Sequence, residues 1–293
     1  MKPWERFLEK YAAFGMAPSV ERYVDLFDAD ATLLHPGMKS PIGRDQVAQF
    51  IERALKRLPA FRFMPIHWNF SGDTIFVEAR NSAEVNGKPI AWPSIYRIVL
   101  REDRVLHGRA FYDRAEVLAH LDPSRASGGV NAHSRLLDGA MPGGASGSDR
   151  DVSAELHDRF VKPYAENWKN PDPARFVDFY RPQARMINPG FERPLGTAEL
   201  PQYYRSLIAD TPGLSLRLER WAGSPNLLFC EWTATGRIGG RQMTLSLVDR
   251  FTLDGFRAVE GVAYFDRLEL LAMADPEAAR IGDVSDSSAA PPR

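Results

Sequence analysis

Cysteine is nearly missing from this chain. With only Cys230 present, no disulfide can close within it and no thiolate pair can hold a metal. Net charge is missing too: 37 Lys and Arg stand against 38 Asp and Glu, a formal balance of -1, and no long basic run interrupts the mixture. That balance argues against nucleic acid or an anionic membrane as a partner. No apolar run reaches membrane-spanning length, and the opening MKPWERFLEK lacks the apolar stretch of a secretory signal, so the cytoplasm is the expected compartment. The chain also has no Walker loop, no dinucleotide glycine fingerprint and no HisGluxxHis. Nucleotide and metal sites therefore have no recognisable anchor, and chemistry without a cofactor is the expectation.

What the chain does contain is itself, written twice. Residues 5–123 shifted by 153 positions lie on residues 158–276 without a gap, with about 32 of roughly 119 positions identical. Val24 to Gly43 (VDLFDADATLLHPGMKSPIG) meets Val177 to Gly196 (VDFYRPQARMINPGFERPLG). Later pairs include Trp68/Trp221, Glu78/Glu231, Arg97/Arg250, Asp113/Asp266 and Arg114/Arg267. A repeat this long is a duplicated domain rather than a solenoid unit. Each half is large enough to bury its own core, and the 44% apolar and 26% charged content is that of a globular chain. The expected boundaries are a first domain at 1–123, a Gly/Ser/Ala-rich flexible linker at 124–152, a second domain at 153–276 and a frayed tail at 277–293.

Within a copy, helical spacing comes first and strand alternation afterwards. Glu5 to Phe14 and Ser19 to Phe27 read as helices, the second capped by Ser19; Thr32 to Leu34 is extended, and Asp45 to Leu58 is a third helix. Strands are expected at Phe61 to Phe70, Thr74 to Val85, Pro89 to Leu100 and Arg104 to Tyr112, separated by turn residues. Helices packed on one face of a mostly antiparallel sheet define an α+β domain.

This order, with the phrase LFDADATLLHPGMKSPIGRDQVAQF, resembles the SnoaL-like polyketide cyclases of the nuclear transport factor 2 superfamily, which also contains the ketosteroid isomerases. The resemblance covers both halves. It implies two cone-shaped domains, each a curved sheet wrapping three helices around an apolar pocket, and an intrachain pseudo-dimer joined through the outer sheet faces. Further self-association stays open.

Strand parity then sorts the residues. Trp92, Ser94 and Tyr96 share a face, as do Leu245, Leu247 and Asp249; Gly108, Ala110 and Tyr112 match Gly261, Ala263 and Phe265. By similarity to the ketosteroid isomerases these sets face the pockets. Glu78 and Arg97, repeated as Glu231 and Arg250, lie on the opposite faces, with His107, Arg109 and Glu260 nearby. They are expected to be interface ion pairs rather than catalytic groups.

The resemblance also implies roles. The base position falls on His35 in the first copy and Asn188 in the second; the helix-1 tyrosine is Tyr11 and Tyr164; the acid position holds Tyr96 and Asp249. Two supporting tyrosine positions hold Phe27 and Ile51 in the first copy, but Tyr180 and Tyr204 in the second. His35 has an intrinsic pKa suited to proton shuttling near neutrality, with Tyr11 and Tyr96 as donors and Trp92 and Tyr112 as walls. Asp249, beside Leu245 and Leu247, should hold its proton more readily than a solvated aspartate. Asn188 cannot take a proton, so the second copy needs another base, such as Glu192 swinging inward. Two functions follow from different classes. One is a cofactor-independent isomerase, cyclase or hydrolase acting on an apolar polyketide, steroid or terpenoid. The other is a non-catalytic binding or scaffolding protein.

Overall fold

The computed structural model describes residues 2–121 and 154–274. The expected linker and tail, and the outermost residues of both expected domains, lie outside them. In the first copy α1 (Pro3–Met16) begins with Pro3, whose missing N–H costs nothing in a first helical turn, and buries Phe7, Tyr11 and Phe14 along one stripe. α2 (Val20–Asp25) starts where Ser19 accepts a hydrogen bond from the Arg22 N–H at 3.2 Å. It stops two residues before the expected Phe27, because Phe27 already belongs to β1 (Phe27–Leu34), which begins five residues earlier than the Thr32 expected from sequence.

β2 (Ile42–Gly43) and α3 (Arg44–Arg57) follow, then the long strands β3 (Arg62–Ser71), β4 (Thr74–Val85), β5 (Lys88–Arg101) and β6 (Arg104–Phe111). The sheet runs β2-β1-β6-β5-β4-β3, antiparallel except where β1 pairs with β6 in parallel. A helix not expected from sequence, α4 (Arg114–Leu121), ends the described part of this copy.

The second copy repeats the sheet with each strand displaced by the repeat offset: β7 (Tyr180–Ile187), β8 (Leu195–Gly196), β9 (Ser215–Ser224), β10 (Leu227–Ile238), β11 (Arg241–Asp254) and β12 (Arg257–Tyr264). Its helices differ, and prolines explain where. A π-helical turn, His157–Val161, with Lys162 N–H reaching back to the His157 carbonyl, precedes α5 (Lys162–Lys169), whose Pro163 cannot donate. The expected second helix is a 3-10 helix, Pro173–Phe179, and the third is α6 (Leu200–Asp210), preceded by a 3-10 turn at Thr197–Glu199. α7 (Arg267–Ala274) matches α4. No helix among the described residues is long and apolar enough to cross a membrane.

The copies meet through their sheets, as expected. Phe76 stacks on its own repeat partner Phe229, with ring centroids 5.8 Å apart and planes 4° apart, in a buried cluster with Ile95, Phe111, Val248, Val262 and Tyr264. Such a self-pair marks a two-fold axis. The repeated charges cross it. Glu78 accepts from Arg250 Nε at 3.2 Å and from the Tyr264 hydroxyl, and its other oxygen lies 2.6 Å from His67 Nδ1. Arg97 and Glu231, the repeat of that pair, stand 3.3 Å apart without hydrogen-bond alignment. Farther out, Arg114 binds Asp266 at 2.5 Å and Arg267 binds Asp113 at 2.6 Å.

One glycine separates the copies' interiors. A Cβ at Gly15 would lie 2.0 Å from the Phe63 carbonyl oxygen, so α1 rests directly on β3; at the matching position the second copy carries Trp168. Because backbone cannot yield as a side-chain tip can, Gly15→Ala should lower stability by about 1–3 kcal/mol. The denaturant midpoint of the full chain measures this, and an unchanged midpoint would show that α1 can lift away at no cost.

Candidate functional site

Each cone encloses a cavity between its helices and the concave face of its sheet. The first, about 120 Å³, is walled by aromatic rings from Tyr11 and Phe14 on α1, Phe50 on α3, Phe63 on β3, and Trp92 and Tyr96 on β5. His35, after β1, and Tyr112, after β6, complete it. Tyr11 and Tyr96 meet edge to face at 5.9 Å, and the His35 ring lies 4.7 Å from Phe50, 6.3 Å from Tyr96 and 6.0 Å from Tyr112. The sequence-derived candidates Tyr11, His35, Trp92, Tyr96 and Tyr112 are therefore together.

The chemistry expected of two of them changes. Burial pushes the His35 pKa down to about 4, because a charged imidazolium has no compensating partner there. His35 is thus a neutral ring at physiological pH and is not poised to shuttle protons near neutrality. An NMR titration of the imidazole nitrogens is expected to show no protonation of His35 between pH 5.5 and 8, and an inflection in that range would contradict the burial argument. Tyr96, expected as a donor, already gives its hydroxyl proton to Asn81 Oδ1 at 3.2 Å.

The second cavity, about 140 Å³, is lined by Tyr164 and Trp168 of α5, Tyr203, Tyr204 and Leu207 of α6, and Tyr180 and Met186 of β7. Leu245, Leu247 and Asp249 enter from alternate positions of β11, with Asn188 and Phe265 at the strand ends. All the sequence-derived candidates of this copy thus line one space. The strand alternation that turns Asp249 inward turns Arg250 outward to Glu78, so the carboxyl has no cation beside it. Burial raises the Asp249 pKa to about 7. The Trp232 indole is close enough to favour the charged form slightly, yet its buried N–H makes no aligned hydrogen bond.

Around this carboxyl stand phenols that keep their protons. Burial raises Tyr164, Tyr180 and Tyr204 well above the ordinary tyrosine value, and Tyr203 to about 12. The Asn188 amide donates to the Tyr203 oxygen at 2.6 Å, which leaves the Tyr203 proton for the cavity. Tyr204 donates to the Met186 sulfur at 3.2 Å, a weak acceptor that a ligand oxygen could replace. Glu192 is exposed and does not turn inward as a base.

Sequence reasoning missed Tyr203, Trp168 and Asn81. Tyr203 sits where the first copy has Phe50, and Trp168 where it has Gly15, so neither carries a repeated signal; only the difference between the copies could have exposed them. Ala110, expected in the first cavity, instead borders a smaller space of about 70 Å³ between the copies, with His35, Arg109, Ser246, Asp266 and Glu269. Ser94, which accepts from Asn81, and Gly108, covered by Leu33 and Val105, do not line the first cavity either, whereas Gly261 and Ala263 line the second.

Three solved structures are similar to part of this chain at low identity. A ketosteroid isomerase-like protein of Catenulispora acidiphila, solved with trimethylamine, is 20% identical over 39% of this chain and 90% of its own, with a TM-score of 0.36. An NTF2-like protein of Burkholderia pseudomallei is 18% identical over 41% and 98%, with a TM-score of 0.38. IdmH of Streptomyces antibioticus, a candidate polyketide cyclase, is 17% identical over 41% and 99%, also at 0.38. A comparison with curated proteins finds no match. The family model for the SnoaL-like domain matches twice, at residues 4–107 and 161–261, well over half of the sequence. With two matched regions falling on two copies of one cone, the chain belongs to the SnoaL-like domain family as a tandem member.

Proposed function

We propose that the second copy is a cofactor-independent acid–base site that isomerises or cyclises an apolar carbonyl compound of the polyketide, steroid or terpenoid kind. The observation that carries this reading is Asp249: a carboxyl buried among apolar and phenolic side chains, whose pKa of about 7 lets it both take and return a proton near neutrality. Asn188 cannot act as a base and Glu192 faces solvent, so proton abstraction falls to Asp249. The Asp249 carboxylate takes the proton from the carbon beside the ligand carbonyl, and the electron pair moves onto the oxygen. Tyr164, Tyr203 and Tyr204 donate hydrogen bonds to that oxygen, and the proton returns from Asp249 to a different carbon.

A second reading applies to the first copy alone. With His35 held neutral and no carboxyl among its lining residues, that cavity is suited to binding without turnover. A panel of apolar enones, ketones and epoxides tested on wild type, Asp249→Asn and His35→Ala separates the readings. Turnover lost in Asp249→Asn and kept in His35→Ala is expected. Tight binding with no turnover of any compound would make both copies binding modules.

A further inference from the structure

The two cavities carry four tyrosines each, and they differ in what stands at the Tyr96 position of the first copy. Asn81 on β4 is buried opposite Trp92 on β5, and its Nδ2 lies 3.3 Å from the Trp92 carbonyl and 2.7 Å from Ser94 Oγ. A backbone carbonyl can only accept, so this contact fixes which end of the amide is the nitrogen. The amide oxygen is thereby directed at Tyr96, whose hydroxyl must donate to it, at 3.2 Å. A phenol has one proton. With that proton committed to Asn81, what Tyr96 offers the cavity is lone pair.

Nearby, His35 leaves Nε2 buried without a partner. The second copy has none of this arrangement: Ala234, Leu247 and Asp249 stand where Asn81, Ser94 and Tyr96 stand in the first, so a carboxyl takes the place of the Tyr96 oxygen.

We propose that the first cavity binds a hydroxylated aromatic compound of the phenol class, its hydroxyl donating to the Tyr96 oxygen, without transforming it. Trp92, Tyr112, Phe50 and Phe63 supply flat walls, and no carboxylate or ammonium group lines the space to attract a charged guest. At about 120 Å³ it is close in size to the roughly 150 Å³ apolar cavity that holds one benzene ring. With its proton given to Tyr96, the same hydroxyl oxygen keeps lone pairs that accept from His35 Nε2–H in the tautomer that carries the proton there. The inference rests on the reading that the cavities admit small molecules, but not on turnover in the second.

The test is binding of phenol, anisole and benzaldehyde to the full chain, followed through tryptophan indole NMR signals: Trp92 reports the first cavity and Trp168 the second. At the Trp92 signal, phenol should bind roughly 5-fold more tightly than anisole, the margin of one neutral hydrogen bond. Tyr96→Phe should erase that margin while leaving anisole unchanged. Asn81→Ala, which installs the residue of the second copy and releases the Tyr96 proton, should shift preference toward benzaldehyde. Equal binding of phenol and anisole, a preference that survives Tyr96→Phe, or no response at Trp92 to any probe would overturn the proposal. Should Asn81→Ala fail to fold, Tyr96→Phe, which removes only the hydroxyl, still decides. A phenol preference at Trp92 in a chain with no turnover would leave this inference standing while the catalytic reading falls.

Discussion

Asp249→Asn is expected to lower kcat on an apolar ketone or enone by about 10²–10⁴-fold, the usual worth of a positioned general base, and at the same time to make the protein harder to unfold at pH 8. The two effects have one cause. Burial disfavours the Asp249 carboxylate and raises its pKa from 3.8 to about 7, so the folded chain holds a proton that the unfolded chain has lost. Since the folded-state pKa lies above the unfolded value, the contribution of this group is fully present below about pH 4. It is then lost as pH rises through about 7. Above pH 7 the ionised carboxylate is a liability on the order of 4 kcal/mol at most, which the neutral amide does not carry. Wild-type urea midpoints should therefore fall between pH 5 and pH 8 relative to Asp249→Asn, while wild-type kcat rises over the same interval and levels above about pH 7. A mutant that keeps its activity would remove Asp249 from the chemistry. Parallel stability curves would show instead that the carboxyl is solvated.

Arg250→Met should destabilise the chain by about 3–5 kcal/mol, because Glu78 would be left fully buried with its cation gone. Glu78→Gln/Arg250→Met should recover most of that loss, since removing both charges removes the desolvation penalty along with the attraction. Attraction to Arg250, and hydrogen bonds from His67 and Tyr264, outweigh burial and hold the Glu78 carboxyl down at about 2. With the folded pKa depressed, this contribution is present above the unfolded value of 4.5 and lost as pH falls through about 2. The corresponding Arg97→Met is expected to cost less, because Arg97 and Glu231 lack hydrogen-bond alignment and Glu231 keeps Arg220 at 3.5 Å. Chemical denaturation of the three variants and a double-mutant cycle measure the difference. Equal losses for Arg250→Met and Arg97→Met would show that alignment contributes nothing.

The sheet was the legible part of this chain. Alternation and turn residues bound β4 at Thr74 and Val85 from sequence, and the ungapped offset carried every strand into the second copy. The helices were less so, because prolines at 163, 173 and 201 act locally and bend the second copy's helices away from the first copy's pattern. In the site, strand parity places Leu245, Leu247 and Asp249 on one side and sends Arg250 to the other, since an alternating backbone leaves no choice. What parity could not reveal was hydrogen-bond direction and solvation. That Tyr96 gives its proton to Asn81 depends on a cross-strand neighbour, and the low pKa of His35 depends on the depth at which the cone holds it.

The Phe76–Phe229 stack on the pseudo-two-fold axis has a consequence for how this chain can change. In an assembly of two identical polypeptides every substitution is made in both halves at once, so a mutation that sharpens one chamber alters its twin. Here each side of the axis is encoded separately. Aspartate could settle among phenols in one half while tyrosine and asparagine settled in the other, and the seam between them stayed complementary throughout. Fusion thus gives the two halves independent fates inside a single polypeptide.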